Sequence, residues 1–408
     1  MMLQHNPLAV MSAAADFVAA LGCIQAAVGA VLVHRFGAGG LDAQDPIGIL
    51  GRGTSLPPVT VLKPLYGDEP LLEDALASFC VQDYPHVQIV FGVQSRIDSA
   101  IPVVRRLQAR FPTLDLVLVV DPTLHGDNYK IANLINMLPS ASHDVLVISD
   151  SDIHAEPTYL RHVVRALQAP GIGLVTTLYG GRTASPTLAR RLAAGQINHS
   201  FLPGVLMSRV LGRQDCLGST MALNRYTLEA IGGLSALSPH IADDSALGQL
   251  VRANGQSIAI ADAMTMTTTA EVGFNDLFAH ELRWGRTVRS VEPLGYALSA
   301  IQLPLFWATV AVLLLPESLP SWLALAFVWM VRFLSATVID RALGQAATLP
   351  IMLLPVRDWL SAAVMLGSFT GRRVAWRGQT MRLPDQAIMT TVHSRLAPAL
   401  APGIDAGN

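Results

Sequence analysis

Cysteine is scarce in this 408-residue chain: Cys23, Cys80 and Cys216 stand alone, at no metal-ligand spacing. A disulfide framework and a thiolate zinc site are thereby excluded, and all three are expected as reduced thiols. Charge is scarce too, at 14% of residues with a formal net charge of −2. A glycine-rich dinucleotide fingerprint is missing, since GILGRG at 48–53 follows no strand-like run and orders its glycines wrongly. There is no Walker loop and no Gly-x-Ser-x-Gly elbow. The common nucleotide-cofactor and serine-hydrolase classes lose their support with those motifs. Lysine is scarcer still, with Lys63 and Lys130 the only two. Either arginine has spared an ammonium where a compact point charge is needed, or two surface lysines persist by chance. Both lie beside predicted loops, in VTVLKPLYGDEP and HGDNYKIANL.

What the chain has in abundance is apolar surface: 51% of residues are hydrophobic and mean hydropathy is +0.42. That balance predicts a soluble part joined to membrane spans. Phe17 to Val33 is uncharged, near the lower length limit for a spanning helix, and followed by His34-Arg35. It reads as an anchor over 1–35 with its N-terminus outside, which puts the following domain in the cytoplasm. Further apolar segments cover 296–315, 322–339 and 349–369, within a membrane region over 291–371. The second contains Arg332 and the third Arg357-Asp358, and ionisable residues at such depth face a bundle interior or an interface. Arg372, Arg373, Arg377 and Arg382 argue for a cytoplasmic C-terminus, so one segment is expected to be re-entrant or interfacial. The remainder, 372–408, reads as a basic and then disordered tail ending LAPALAPGIDAGN.

Residues 36–57 read as a Gly/Pro-rich linker, and 58–290 as one α/β domain. Strand-like runs fall near 58–63, 88–94, 115–121, 144–150 and 173–178, with helical stretches between them. Such spacing implies right-handed crossovers and a mostly parallel sheet, with ligands beyond the carboxyl ends of its strands. HDVLVISDSDIHAEP, residues 143–157, is an unalternating apolar run that ends in Asp150 and Asp152. On an extended chain residues two apart share a side, so both carboxylates would face one space and need a counter-charge, either solvent or a metal ion.

Two further stretches are open to a structural or a chemical reading. Asp243-Asp244 in HIADDSALGQLV are either an ordinary acidic helix start or the place of a general base. FAHELRWGRTVR, 278–289, is either an amphipathic helix at the membrane interface or a carrier of Arg283 for a departing diphosphate.

The order of these pieces resembles the membrane glycosyltransferases with a D, D, D, (Q/R)xxRW pattern, and more narrowly the ceramide glucosyltransferase family. The supporting stretches are VTVLKPLYGDEP, FGVQSRIDSAI, NYKIANL, ISDSDI, CLGSTMALNR, IADDSALGQLV and HELRWGRTVR, which span 59–289 in the family's order. Within that family they are most similar to the bacterial hopanoid-biosynthesis glycosyltransferases, which pass N-acetylglucosamine from UDP to bacteriohopanetetrol. The resemblance implies a GT-A (Rossmann-like) fold, inverting transfer from a UDP-sugar to a membrane lipid, and a divalent cation, Mg²⁺ or Mn²⁺. It implies Asp150 and Asp152 for the metal, Asp244 as catalytic base, and Arg283 and Trp284 as the Arg-Trp pair. Asp98, Lys130, Asp150, Asp243, His280 and Lys63 are the expected substrate-binding residues, with His280 standing where the family has glutamine or arginine. The expected place is a bacterial inner membrane with the catalytic domain cytoplasmic, and no nucleic-acid partner is expected. The rivals are ceramide with UDP-glucose, a processive polysaccharide synthase, for which the spans are few, and a non-catalytic scaffold.

Overall fold

The computed structural model describes residues 7–38, 56–371, 373–376 and 379–382. Most of the linker and the LAPALAPGIDAGN end lie outside the described residues. The strands are β1 (Val59–Pro64), β2 (Val87–Val93), β3 (Asp115–Val120), β4 (Val145–Ser149), β5 (Ile153–His154), β6 (Ile172–Thr183), β7 (Thr220–Asn224), β8 (Ser257–Thr269), β9 (Arg373–Trp376) and β10 (Gln379–Arg382). The helices of the first half are α1 (Pro7–Gly37), α2 (Leu72–Cys80), α3 (Ala100–Arg110), α4 (Tyr129–Met137), α5 (Tyr159–Leu167), α6 (Leu188–Gln196) and α7 (Leu202–Val210). Those of the second half are α8 (Arg225–Ala230), α9 (Asp243–Ala253), α10 (Phe274–Val291), α11 (Pro293–Leu298), α12 (Pro304–Leu314), α13 (Leu319–Ala342) and α14 (Leu354–Ser368).

The first eight strands form one sheet in the order β3-β2-β1-β4-β7-β6-β8-β5. Its apolar runs do not alternate because both faces are covered. Val59, Val61, Phe91 and Val147 pack with α2, α3 and α5, while Leu62, Val90, Leu146 and Ile148 pack with α4, α8 and α9. β1, β2, β3 and β4 are parallel as predicted. The sheet stays mostly parallel beyond β4: β6 runs in the direction of β4 and pairs parallel with β8, while β7, inserted antiparallel between β4 and β6, and the short β5, antiparallel to β8, run the other way. β7 and β8 carry polar threonines and methionines and are not among the strands expected from the sequence.

The anchor is longer than 17–33, because α1 begins at Pro7 and includes Asp16, whose carboxylate accepts a bond from Ser321 of α13 at 3.1 Å. Among the described residues, three helices are long and apolar enough to cross a membrane: Pro7–Gly37, Leu319–Ala342 and Ile351–Ser368. The segment expected at 296–315 is instead two pieces, Pro293–Gln302 and Pro304–Leu314, bent by 67°. Pro304, at the first turn of α12, cannot donate a backbone bond to a continuous helix. At 373–382, inside the stretch expected to be tail, β9 and β10 pair antiparallel. A π-helical turn, Ile197–Phe201, joins α6 to α7 and ties the sheet to the helices: Asn198 Oδ1 accepts from Gly181 N of β6 at 2.6 Å.

Candidate functional site

β4 ends at Ser149, and the chain then turns. The extended alternation expected over Asp150–Asp152 stops there, so the carboxylates take different partners. Asp150 Oδ1 lies 2.8 Å from Lys130 Nζ. Asp152 Oδ2 accepts from Thr267 Oγ1 of β8, and Ser151 Oγ between them donates to Glu69 Oε2 at 2.7 Å. The two aspartates still sense each other: burial, with Asp150 and Glu69 adding to it, pushes the Asp152 carboxyl up to about 6.

Lys130 occupies the first turn of α4, whose cap is Asn128, accepting from Ile131 N at 3.1 Å. The same Asn128 donates to His240 O at 2.8 Å, drawing in the loop before α9. This places Asp243 Oδ2 3.4 Å from Lys130 Nζ, so one ammonium bridges the aspartate after β4 and the aspartate that starts α9. Burial works against the Lys130 charge, yet Asp150 and Asp243 together hold it above its ordinary value.

Asp244 turns away from that bridge. Its Oδ1 accepts from Ser245 N at 2.7 Å, and a side chain at Gly218 would place its Cβ 3.1 Å from Oδ2. Burial first, then Asp243, push the Asp244 carboxyl up to about 6, against the pull of Lys130. A base with that value is ionised at neutral pH and still able to take a proton.

Lys63 does not reach open space. Fully buried, it donates to Ser149 Oγ at 3.1 Å and Asp150 O at 2.7 Å, and it lies 3.6 Å above the Phe79 ring. It thus holds the end of β4 from beneath instead of facing a ligand, and burial lowers it to about 7 against the pull of Asp152 and Asp150. Asp98 braces the rim: its Oδ1 accepts from Gly67 N at 3.0 Å and Ala100 N at 2.8 Å, joining the loop after β1 to the start of α3.

α10 carries the remaining candidates. Thr287, Ser290 and Val291 of α10 line a crevice with Ser245, Ala246 and Gln249 of α9, bringing the two helices together. One turn earlier, Thr287 Oγ1 donates to Arg283 O at 2.9 Å. His280 Nδ1 is 2.7 Å from Glu271 Oε1, and its ring meets Trp284 edge-on with centroids 4.7 Å apart. Among the described residues, no hydrogen bond, ion pair or ring contact joins His280 or Trp284 to the acidic cluster.

Glu69, Thr267 and Tyr179 belong to the site and escaped the sequence reading. Glu69 had a signal, an acid in the loop beyond the carboxyl end of β1. Tyr179, on β6, stacks on Phe201 at 4.8 Å; burial, and then Asp244, Asp150 and Asp152, push its phenol above the usual range. Nothing local marks a strand tyrosine as a neighbour of three aspartates.

The sequence model of glycosyl transferase family 21 matches residues 14–389. Ceramide glucosyltransferase 3 of Caenorhabditis elegans is 25% identical over 238 residues, 57% of this chain and 50% of that protein. The ceramide glucosyltransferase of Candida albicans is 31% identical over 121 residues, 27% of this chain and 22% of that one. The chain thus spans about half the length of the first of these relatives, and less of the second. A mannosyltransferase from Pyrobaculum calidifontis, solved with GDP-Man and Mn²⁺, matches with a TM-score of 0.51 at 20% identity, over 86% of this chain and 99% of that one. The likeness is one of fold, a GT-A arrangement.

Proposed function

This chain belongs to glycosyl transferase family 21, and from that premise we propose that it moves a sugar from a nucleotide-sugar donor to a hydroxyl of a membrane lipid, with inversion. The observation that carries the reading is the pairing of a raised, buried Asp244 with the Lys130-bridged Asp150 and Asp243, beyond the strand ends and beside helices apolar enough to span a membrane.

Asp150 and Asp152 fit a divalent cation, Mg²⁺ or Mn²⁺. Burial first, and then repulsion from Asp150 and Glu69, raise the Asp152 carboxyl, and the Asp150 side chain is 37% exposed. Among the described residues no group of three or more His, Cys, Asp or Glu is disposed to hold an ion. A hard cation is commonly held by one or two carboxylates, with substrate phosphates and waters completing its shell, and Asp150 and Asp152 supply that number. When bound, the cation neutralises charge growing on the departing diphosphate. Lys130 fixes Asp150 and Asp243 in their orientations, and Lys63 fixes the backbone beneath them. Asp244 accepts the proton of the acceptor hydroxyl as that oxygen attacks the sugar from the face opposite the leaving group. Arg283 supplies planar donors to the diphosphate, and Trp284 and His280 form the wall behind it.

A membrane acceptor gives the spans a purpose, since a water-soluble donor must meet a lipid that stays in the bilayer. With the bent pair re-entrant, α1, α13 and α14 cross three times. An outside N-terminus then gives a cytoplasmic catalytic domain and a cytoplasmic C-terminus, in agreement with the arginines after 371. The finer reading is N-acetylglucosamine from UDP to bacteriohopanetetrol in a bacterial inner membrane, supported by the motif likeness over 59–289. The second reading, UDP-glucose and ceramide, takes its sugar and acceptor from the names of the ceramide glucosyltransferase relatives. Purified protein incubated with each donor and each acceptor in mixed micelles separates them: product with one pair alone selects it, and no lipid product with any pair contradicts both.

A further inference from the structure

The apolar C-terminal third holds ionic side chains in its interior, and two of them are sequence neighbours. Arg357 and Asp358, on α14, are each 1% exposed and take partners on different helices. Arg357 grips Glu281 of α10 through two bonds, Nη1 to Oε1 at 2.7 Å and Nη2 to Oε2 at 2.6 Å, and donates to Leu192 O of α6 at 3.1 Å. Asp358 receives Arg332 Nη2 of α13 at 3.1 Å and Leu305 N, in the first turn of α12, at 2.9 Å. Arg332 in turn donates to His199 O in the π-helical turn at 3.1 Å. Through one dipeptide, α12 and α13 are therefore connected to α10.

Glu281 lies between His280 and Arg283 and is itself buried. Replacing a buried ion pair by apolar groups of similar volume is often neutral or stabilising, so stability alone is a weak reason for this one. What a bidentate guanidinium–carboxylate contact supplies is orientation, because two parallel bonds fix both position and rotation. The rotation of α10 decides where Arg283 and Trp284 point. α10 also packs closely here: a Cβ at Gly285, one turn beyond Glu281, would lie 2.6 Å from Tyr296 Oη.

Resting on the function proposed above, we propose that Glu281 and Arg357 are positioning residues through which the membrane helices set the place of the Arg283–Trp284 pair against Asp244. The test uses the full chain in nanodiscs, with Glu281→Gln, Arg357→Met and the double Glu281→Leu/Arg357→Met. Thermal midpoint, steady-state kinetics and hydrogen exchange of 274–291 are measured on each. The double variant is expected to regain the midpoint that the single variants lose. Its kcat should stay lower by about 10²-fold, the scale of a misplaced catalytic group, while the donor KM moves less than about 2-fold. Exchange in α10 should be faster than in the parent. A double variant that regains both midpoint and kcat, or whose α10 exchanges at the parental rate, overturns the proposal. If the double variant does not fold, Arg357→Lys decides, since it keeps the charge and loses the fork: kcat lost at a parental midpoint supports positioning, and kcat retained overturns it. A parent inactive with every donor and acceptor overturns the function reading instead, and hydrogen exchange alone then judges the positioning.

Discussion

Lys130 Nζ stands 2.8 Å from Asp150 Oδ1 and 3.4 Å from Asp243 Oδ2, joining two acidic motifs that lie far apart in the chain. The bridge explains why one of only two lysines lies in α4. A compact ammonium on a flexible stem reaches both carboxylates from one point. Lys130→Met leaves both carboxylates without a counter-charge. The expected loss is about 3 kcal/mol, at the low end for a broken buried pair because Asp150 is partly solvated. The urea midpoint in detergent measures it, and turnover should fall with it.

Asp244→Asn separates stability from activity. The folded-state pKa of Asp244, about 6, lies above its ordinary value of 3.8, so the folded protein holds that proton more tightly. Any stability from this is present below the ordinary value and is lost as pH rises towards 6. At pH 7.5 the parent therefore carries the cost of a buried charge that the variant does not. The variant should be more stable by about 1–3 kcal/mol while turnover falls by about 10²–10⁴-fold. In the parent, turnover should rise as pH passes through about 6.

Chelation should abolish transfer, and added Mn²⁺ or Mg²⁺ should restore it. Because the Asp152 carboxyl is pushed up to about 6, protons compete with the cation there. The cation concentration for half-maximal rate should rise as pH drops from 7 to 5.5, and Asp152→Asn should raise it at every pH.

His280→Ala removes the partner of Glu271, whose side chain is 8% exposed. An unpartnered buried acceptor costs about 1–3 kcal/mol, which a thermal midpoint detects. His280→Gln retains a donor and the residue type common at this motif position, so its midpoint and kcat should lie much nearer the parent's.

Much of this was legible in the sequence where local patterning coincided with tertiary role. The unalternating runs of β1, β2 and β4 are continuous because helices bury both faces, and Asp150 follows β4 at the ligand-binding edge. β8, SIAIADAMTMTTT, was not legible: its buried positions follow no strict alternation and include threonines, and its strand character comes from pairing with β6 over its length. Lys63 and Lys130 look alike in sequence, each near the end of an element. Only packing distinguishes one wholly buried beneath β4 from one bridging two aspartates. Arg357 and Asp358 were anomalies in an apolar run, and their meaning depends on Glu281 and Arg332, which lie on other helices.

On the proposed mechanism Asp244 drives transfer of a sugar to a membrane lipid, and the deciding measurement is mass spectrometry of lipids from cells that make both hopanoids and ceramide and express either the parent or Asp244→Asn. A glycosylated lipid, N-acetylhexosaminyl hopanoid first among them, is expected with the parent and none with the variant at equal membrane abundance. The same glycolipid at equal levels from both, or from neither, would contradict that mechanism.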